Sequence, residues 1–227
     1  VRAFMVDAHH LSEDETEAED VRFCHGSPGQ FPHPCKYSEV DPFEWLSLLN
    51  SLMNLTNENC SFMCGEVVSI LVENYVPANH LEFLFNQTGI LERVFIHQLG
   101  EPWPSIGDMI LQKKDVVIYV QSEYNESYSY FHPAWKHSWD TPYGQQDKEE
   151  MTCELGRGDP NQSVWHLSNW LSSIFGTADP YKAHEVNEYE FLLNRTIECW
   201  EIMDRRPTFV AVDYWEDGEI TNVTITL

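Results

Sequence analysis

The sequence predicts an α/β fold built on a mainly parallel sheet, and three observations carry that expectation. Segments that read as strand and helix alternate along the chain, a pattern that builds parallel sheets through crossover connections. Polar residues stand at or just past the carboxyl ends of the predicted strands: Asp7, Glu73, His97, Glu123 and Asp213. No glycine-rich phosphate loop follows any strand, which counts against nucleotide-binding open sheets. In a closed (β/α) barrel the whole ring of strand ends carries the active site, whereas an open sheet binds near one switch point. The spread of these residues favours the barrel.

The elements follow in order. Residues 1–6 are an apolar run ending at Asp7, and residues 21–24 form a short strand ending at His25. Asp41 is a helix cap, Pro42 suits a first turn, and residues 43–55 carry apolar side chains at helical spacing. Residues 67–72, rich in β-branched side chains, form a strand ending at Glu73. Asn79 caps a helix to Asn86, closed near Gly89; residues 94–96 form a short strand before His97. Ser105 with Asp108 resembles a capping box for a helix through Gln112, and residues 115–120 form the next strand. The stretch 124–160 is loop-rich, and residues 164–167 are a strand. One long helix is expected over 183–203, and a strand over 208–212 ends at Asp213. No repeat, linker or composition shift divides the chain, so residues 1–227 are expected to form one domain.

A net charge of −24 opposes attachment to nucleic acid or to anionic lipid surfaces. A phosphate-bearing substrate would need local donors or a metal to outweigh that repulsion. The acidic run 12–20, holding Glu13, Asp14, Glu15, Glu17, Glu19 and Asp20, reads as an exposed loop and lacks calcium-loop spacing. No apolar stretch is long enough to span a bilayer, so at most transient membrane-surface contact is expected of what should be a monomer. Val1 opens directly into a strand, so a secretory signal would lie upstream or have been removed. Asn-x-Ser/Thr sequons begin at Asn54, Asn59, Asn86, Asn125, Asn161, Asn194 and Asn222, more than chance would place in so short a chain. The even cysteine count agrees with disulfides in an oxidising compartment. Zinc is the competing use, but Cys24/Cys35, Cys60/Cys64 and Cys153/Cys199 lack two closely spaced ligand pairs. A secreted glycoprotein with disulfides is the expectation.

The opening segment reads VRAFMVD, then VRFCHG, then Cys35. An Asp and a His at the ends of neighbouring strands can supply a metal ligand and a general acid or base. This pattern resembles the second-strand region of the phosphatidylinositol-specific phospholipase C-like phosphodiesterases, in particular their secreted branch. EVVSILVENYV (66–76), AHEVN with CW (183–200), WPSIGDMILQKKDVVIYVQS (103–122) and RRPTFVAVDYWEDG (205–218) are similar to the same family, so the likeness covers nearly the whole chain.

That resemblance implies a distorted TIM-type (β/α)8 barrel, active in lipid metabolism, which cleaves a phosphodiester or phospholipid by two-histidine acid–base catalysis. His25 is similar to the second histidine, Asp7 and Glu73 to calcium ligands of eukaryotic members, and Asp213 to a rim carboxylate that supports a histidine. Trp139 and Tyr143, in WDTPY, would line a substrate mouth or else pack a long loop. His9 and His10, just past Asp7, are expected to be exposed loop residues rather than ligands. Two departures from the family stand out. Met5 occupies the position of a calcium-ligating Glu, and a thioether is a poor ligand for a hard cation. The family's first strand, with its catalytic His, has no counterpart in the 227 residues. An inactive binding protein of the same fold is therefore the alternative, and a glycosidase using Glu73 and Asp213 is a weaker one.

Overall fold

A computed structural model describes residues 2–11, 17–26, 28–36, 39–58, 65–174 and 178–227. The chain forms two compact units, Val1–Ala134 and Trp135–Leu227. Strands and helices alternate as expected in a mixed α/β fold, and the strands pair in two sheets. The pair Cys60/Cys64, the sequon at Asn59 and most of the acidic run 12–20 lie outside the described residues.

In the first unit, β1 (Ala3–His10), β2 (Val21–Phe23), β3 (Val68–Asn74), β4 (Val116–Val120) and β5 (Phe131–Pro133) form a sheet in the order β2-β1-β3-β4-β5. Only β2 runs antiparallel, beside Ala8–His10. Alternation along the strands sets the faces. Ala8, Ile70, Val72, Ile118 and Val120 turn one way, into a core shared with helices α1 (Pro42–Glu58) and α2 (Ala78–Gln87). Leu46, Leu49 and Met53 of α1 and Leu81, Leu84 and Phe85 of α2 complete that core. Asp41 caps α1 as anticipated: its Oδ1 accepts the N–H of Phe43 at 2.8 Å. Ser105 caps α3 (Ile106–Leu111) by accepting the N–H of Asp108.

Asp115, just before β4, is buried and receives Arg93 through two contacts, Nε at 2.9 Å and Nη2 at 2.6 Å. Asn57 adds a third donor at 2.6 Å. Such a carboxylate is tolerable only while its partners satisfy it.

The second unit holds three parallel strands, β6 (Ser138–Asp140), β7 (Val164–Asn169) and β8 (Phe209–Val212). Helices α4 (Ala183–Asn187), α5 (Tyr189–Met203) and α6 (Ile220–Thr226) accompany them. The Cys153–Cys199 disulfide joins the unit's core, where Trp139 and Trp165 stack face to face at 4.7 Å.

Several expectations change. The run 94–96 is not a strand but makes a single bridge, Val94 to Val116. The helix expected over 183–203 is two: the backbone is extended at Glu188, whose side chain caps α5 through the Phe191 N–H. The loop-rich stretch 124–160 contains β5 and β6, each three residues and too short to show periodicity. β1 extends to His10, so His9 and His10 are strand residues and not an exposed loop; pairing with β2 carries the strand past Asp7.

Two buried histidines are built as neutral rings. His132 Nδ1–H donates to the Ile118 carbonyl at 2.9 Å while its Nε2 accepts the His97 N–H at 2.9 Å. Burial pushes its pKa down to about 4. His166, in β7, is likewise pushed down to about 4, by burial first and by the nearby Arg157 charge second.

Two outcomes follow from these buried groups. Arg93→Ala strands the Asp115 carboxylate and should cost about 3–5 kcal/mol in urea unfolding; a loss under 1 kcal/mol would show that water reaches the site. Below the ordinary histidine pKa of about 6.5, the unfolded chain takes up protons that His132 and His166 refuse until about pH 4. Stability is therefore complete above that window and falls through it, by up to about 1.4 kcal/mol per pH unit for each ring. Urea midpoints at pH 7, 5.5 and 4.5 measure the slope, and His132→Gln should make it shallower.

Candidate active site around Asp7 and His25

β1 runs parallel to β3 in a register that sets Asp7 opposite Glu73. On its other edge, β2 pairs Phe23 with Ala8, so the chain leaving β2 arrives beside Asp7, and the Cys24 N–H bonds the Asp7 carbonyl at 3.1 Å. The tripeptide Cys24-His25-Gly26 is thereby folded against β1 beside Asp7. A disulfide from Cys24 to Cys35 ties the following loop back to its start.

Asp7 is 7% exposed and its Oδ2 serves two groups. It accepts the Gly26 N–H at 3.0 Å and faces His25 Nδ1 at 3.2 Å. Because a carboxylate only accepts, Nδ1 carries the proton, and the opposite ring nitrogen, Nε2, is the one turned away from Asp7. The His25 side chain is 71% exposed. An imidazole oriented at one nitrogen by a buried carboxylate and open to solvent is equipped for proton transfer.

Sequence reasoning missed the layer beneath. His9 shares a face of β1 with Asp7, is 4% exposed, and bonds the Gly26 carbonyl through Nε2 at 2.9 Å. Burial holds its pKa below the ordinary value. The ring of Tyr75 stacks on His9 at 4.6 Å, and the Tyr75 hydroxyl donates to Glu73 Oε2 at 2.9 Å. The only sequence signal for this was period-2 spacing of Asp7 with His9 and of Glu73 with Tyr75, and it becomes readable once both segments are known to be strands.

Calcium takes six to eight oxygen ligands. Asp7 and Glu73 stand side by side, but the first is engaged by Gly26 and His25 and the second by Tyr75. Met5 contributes no oxygen, and among the described residues no three His, Cys, Asp or Glu side chains are grouped to hold a metal.

The other expected positions fall elsewhere. His97 follows no strand and stacks on Trp103 at 3.8 Å, while Glu123 is exposed past β4. In the second unit, Asp213 follows β8, and its carbonyl accepts from Asn187 Nδ2 at 2.8 Å. Trp139 is 3% exposed, its Nε1 donating to the Gln162 carbonyl, so it packs the core and presents almost no surface to a ligand. Tyr143 is 46% exposed and lies against the guanidinium of Arg157 at 4.1 Å. The guanidinium also packs on Trp135 and donates twice to Asp140, at 2.6 and 2.9 Å, and the Arg157 backbone N–H donates a third time at 2.6 Å. Burial nonetheless keeps the Asp140 carboxyl above its ordinary pKa.

Among curated proteins, an uncharacterized secreted protein of Arthroderma benhamiae is 22% identical over 178 residues, 68% of this chain. The matched segment is 40% of that relative's length, so the chain spans well under half of it. No solved structure matches. The PI-PLC X 1 family model matches residues 14–227, which include β2, the Cys24-His25-Gly26 turn and every later element, and on that coverage the chain belongs to the PI-PLC X family.

Proposed function

We propose that this chain belongs to a secreted, glycosylated phosphodiesterase of the PI-PLC X type, with His25 as one of its acid–base groups. The observation that carries the reading is the His25–Asp7 pair: a buried carboxylate fixes one ring nitrogen and leaves the ring on the surface. In the reaction, the inositol 2-hydroxyl of a phosphoinositide or an inositol-containing lipid anchor gives its proton to a general base and attacks phosphorus. The bond from phosphorus to the lipid oxygen breaks, His25 protonates that oxygen, and a cyclic phosphodiester remains. Asp7 holds the ring and offsets the charge it carries while protonated. Glu73 supports the site through Tyr75, and Asp213 serves as a rim carboxylate in the second unit.

The general base is the reading's open requirement. On the side of β1 away from β3, β2 pairs only with Ala8–His10, and no strand lies beside residues 3–6 among the described residues. Family membership supports a distorted TIM-type barrel of one domain, in which a group other than His25 serves as the base. A catalytically silent binding protein is the second reading, favoured by the lack of a second catalytic histidine motif in this sequence.

Secretion is supported by the Cys24–Cys35 and Cys153–Cys199 disulfides and by the secreted relative. Among the described residues no helix is long and apolar enough to cross a membrane. The sequon asparagines 86, 125, 161, 194 and 222 are exposed, whereas Asn54 is half-buried with its side-chain oxygen on Arg93.

Release of cyclic inositol phosphate from phosphatidylinositol vesicles tests the activity. The 227-residue chain should be inactive, and the protein extended through a histidine-bearing upstream strand should be active. His25→Ala in the extended protein should lower kcat by at least about 100-fold. Activity of the short chain, or an undiminished His25→Ala variant, would sink the assignment; a silent extended protein would favour the binding reading. Glycopeptide mapping after secretory expression should find sugar at the five exposed asparagines and not at Asn54.

A further inference from the structure

Gly26 is held by both of its backbone polar groups, and both holders are side chains on the same face of β1. Asp7 Oδ2 takes the N–H at 3.0 Å and His9 Nε2 takes the carbonyl at 2.9 Å. Since a carbonyl only accepts, Nε2 is the protonated nitrogen of His9. Gly26 sits at φ +154°, and a Cβ there would lie 2.7 Å from Gln30 Oε1 and 2.9 Å from Pro34, so the grip depends on glycine. His9 is itself fixed by Tyr75, whose ring stacks on it, whose hydroxyl is tied to Glu73 and whose backbone N–H bonds the Ala8 carbonyl at 3.1 Å.

We infer that His9 is a positioning residue for His25: by holding the Gly26 carbonyl it fixes the turn that delivers the His25 ring to Asp7. The inference rests on the reading of His25 as an acid–base group, and it explains why a polar ring is buried in β1 where an apolar residue would pack without needing a partner. With the carbonyl released, Cys24 stays paired with the Asp7 carbonyl while Gly26 keeps its N–H on the Asp7 carboxylate, and the conformational freedom of glycine lets His25 swing off that carboxylate. A displacement of about 1 Å at a proton-transfer group is enough to cost up to about 100-fold in rate.

The test separates the donor from the ring. His9→Phe keeps the stack on Tyr75 and removes the donor, and His9→Gln keeps a donor at nearly the same reach. In 15N-histidine-labelled chain, the long-range 1H–15N spectrum of His25 should show the Nδ1–H tautomer in the native protein and in His9→Gln. In His9→Phe it should shift toward the Nε2–H form. In the extended, active protein the same variants should divide as roughly 10-fold lower kcat with unchanged KM for His9→Phe, and near-native kcat for His9→Gln. Should His9→Phe not fold, His9→Asn, whose amide falls short of the carbonyl, takes its place with the same expectation. A folded Phe or Asn variant with the native His25 tautomer would overturn the inference. A tautomer shift in a protein that shows no activity in any form would uphold the positioning role while the phosphodiesterase reading fails.

Discussion

The buried carboxylate of Asp7 is the constraint on which the candidate site depends. Three strands meet around it: β1 carries it, β3 lies alongside with Glu73 in register, and β2 returns the chain so that Cys24, His25 and Gly26 close over it. A carboxylate with so little exposure must find donors, and it finds them in the Gly26 N–H and the His25 ring. The same demand that makes the fold tolerable thereby orients the side chain suited to chemistry. Backbone pairing brings the groups near one another, and the need to satisfy the buried charge selects the conformation.

Two other buried carboxylates are satisfied the same way without an exposed titrating partner. Asp115 is closed by Arg93 and Asn57, and Asp140 by Arg157, which is itself packed between Trp135 and Tyr143. In both cases the guanidinium supplies paired donors in a fixed fork, and an ion pair so enclosed is structural. The contrast lies in exposure. Arg93 and Arg157 side chains are 13% and 23% exposed, against 71% for His25. Only the last is open enough to exchange a proton with a substrate.

Membership in the PI-PLC X family and the chain's acidity pull in different directions for a lipid-linked phosphate. At −24 the protein as a whole repels an anionic surface, so any attraction must be short-ranged and local, within the Debye length of about 10 Å at ordinary salt. Under the proposed phosphodiesterase reading, the exposed His25 ring over the buried Asp7 carboxylate is such a local donor. Asp7 and Glu73, the two carboxylates similar to calcium ligands, take part in the contacts around this ring.

Much of the fold was legible in the sequence because strand and helix signals are local. The cap at Asp41, the capping box at Ser105, the apolar runs of β3 and β4 and the placement of Asp7, His25 and Glu73 near strand ends all rest on a few neighbouring residues. The family likeness rested on ordered motifs in the same way. What failed were features whose cause lies far along the chain. His9 and His10 are strand because β2 pairs with them, Trp139 is core because Trp165 stacks on it, and residues 94–96 are not a strand because only one bridge forms. The sequence by itself therefore determined which residue types reach the site, through local patterning. Only the tertiary structure decided their surroundings, since whether a histidine is a solvent-facing ring, a clamp on a carbonyl or a neutral core ring depends on which distant group it meets.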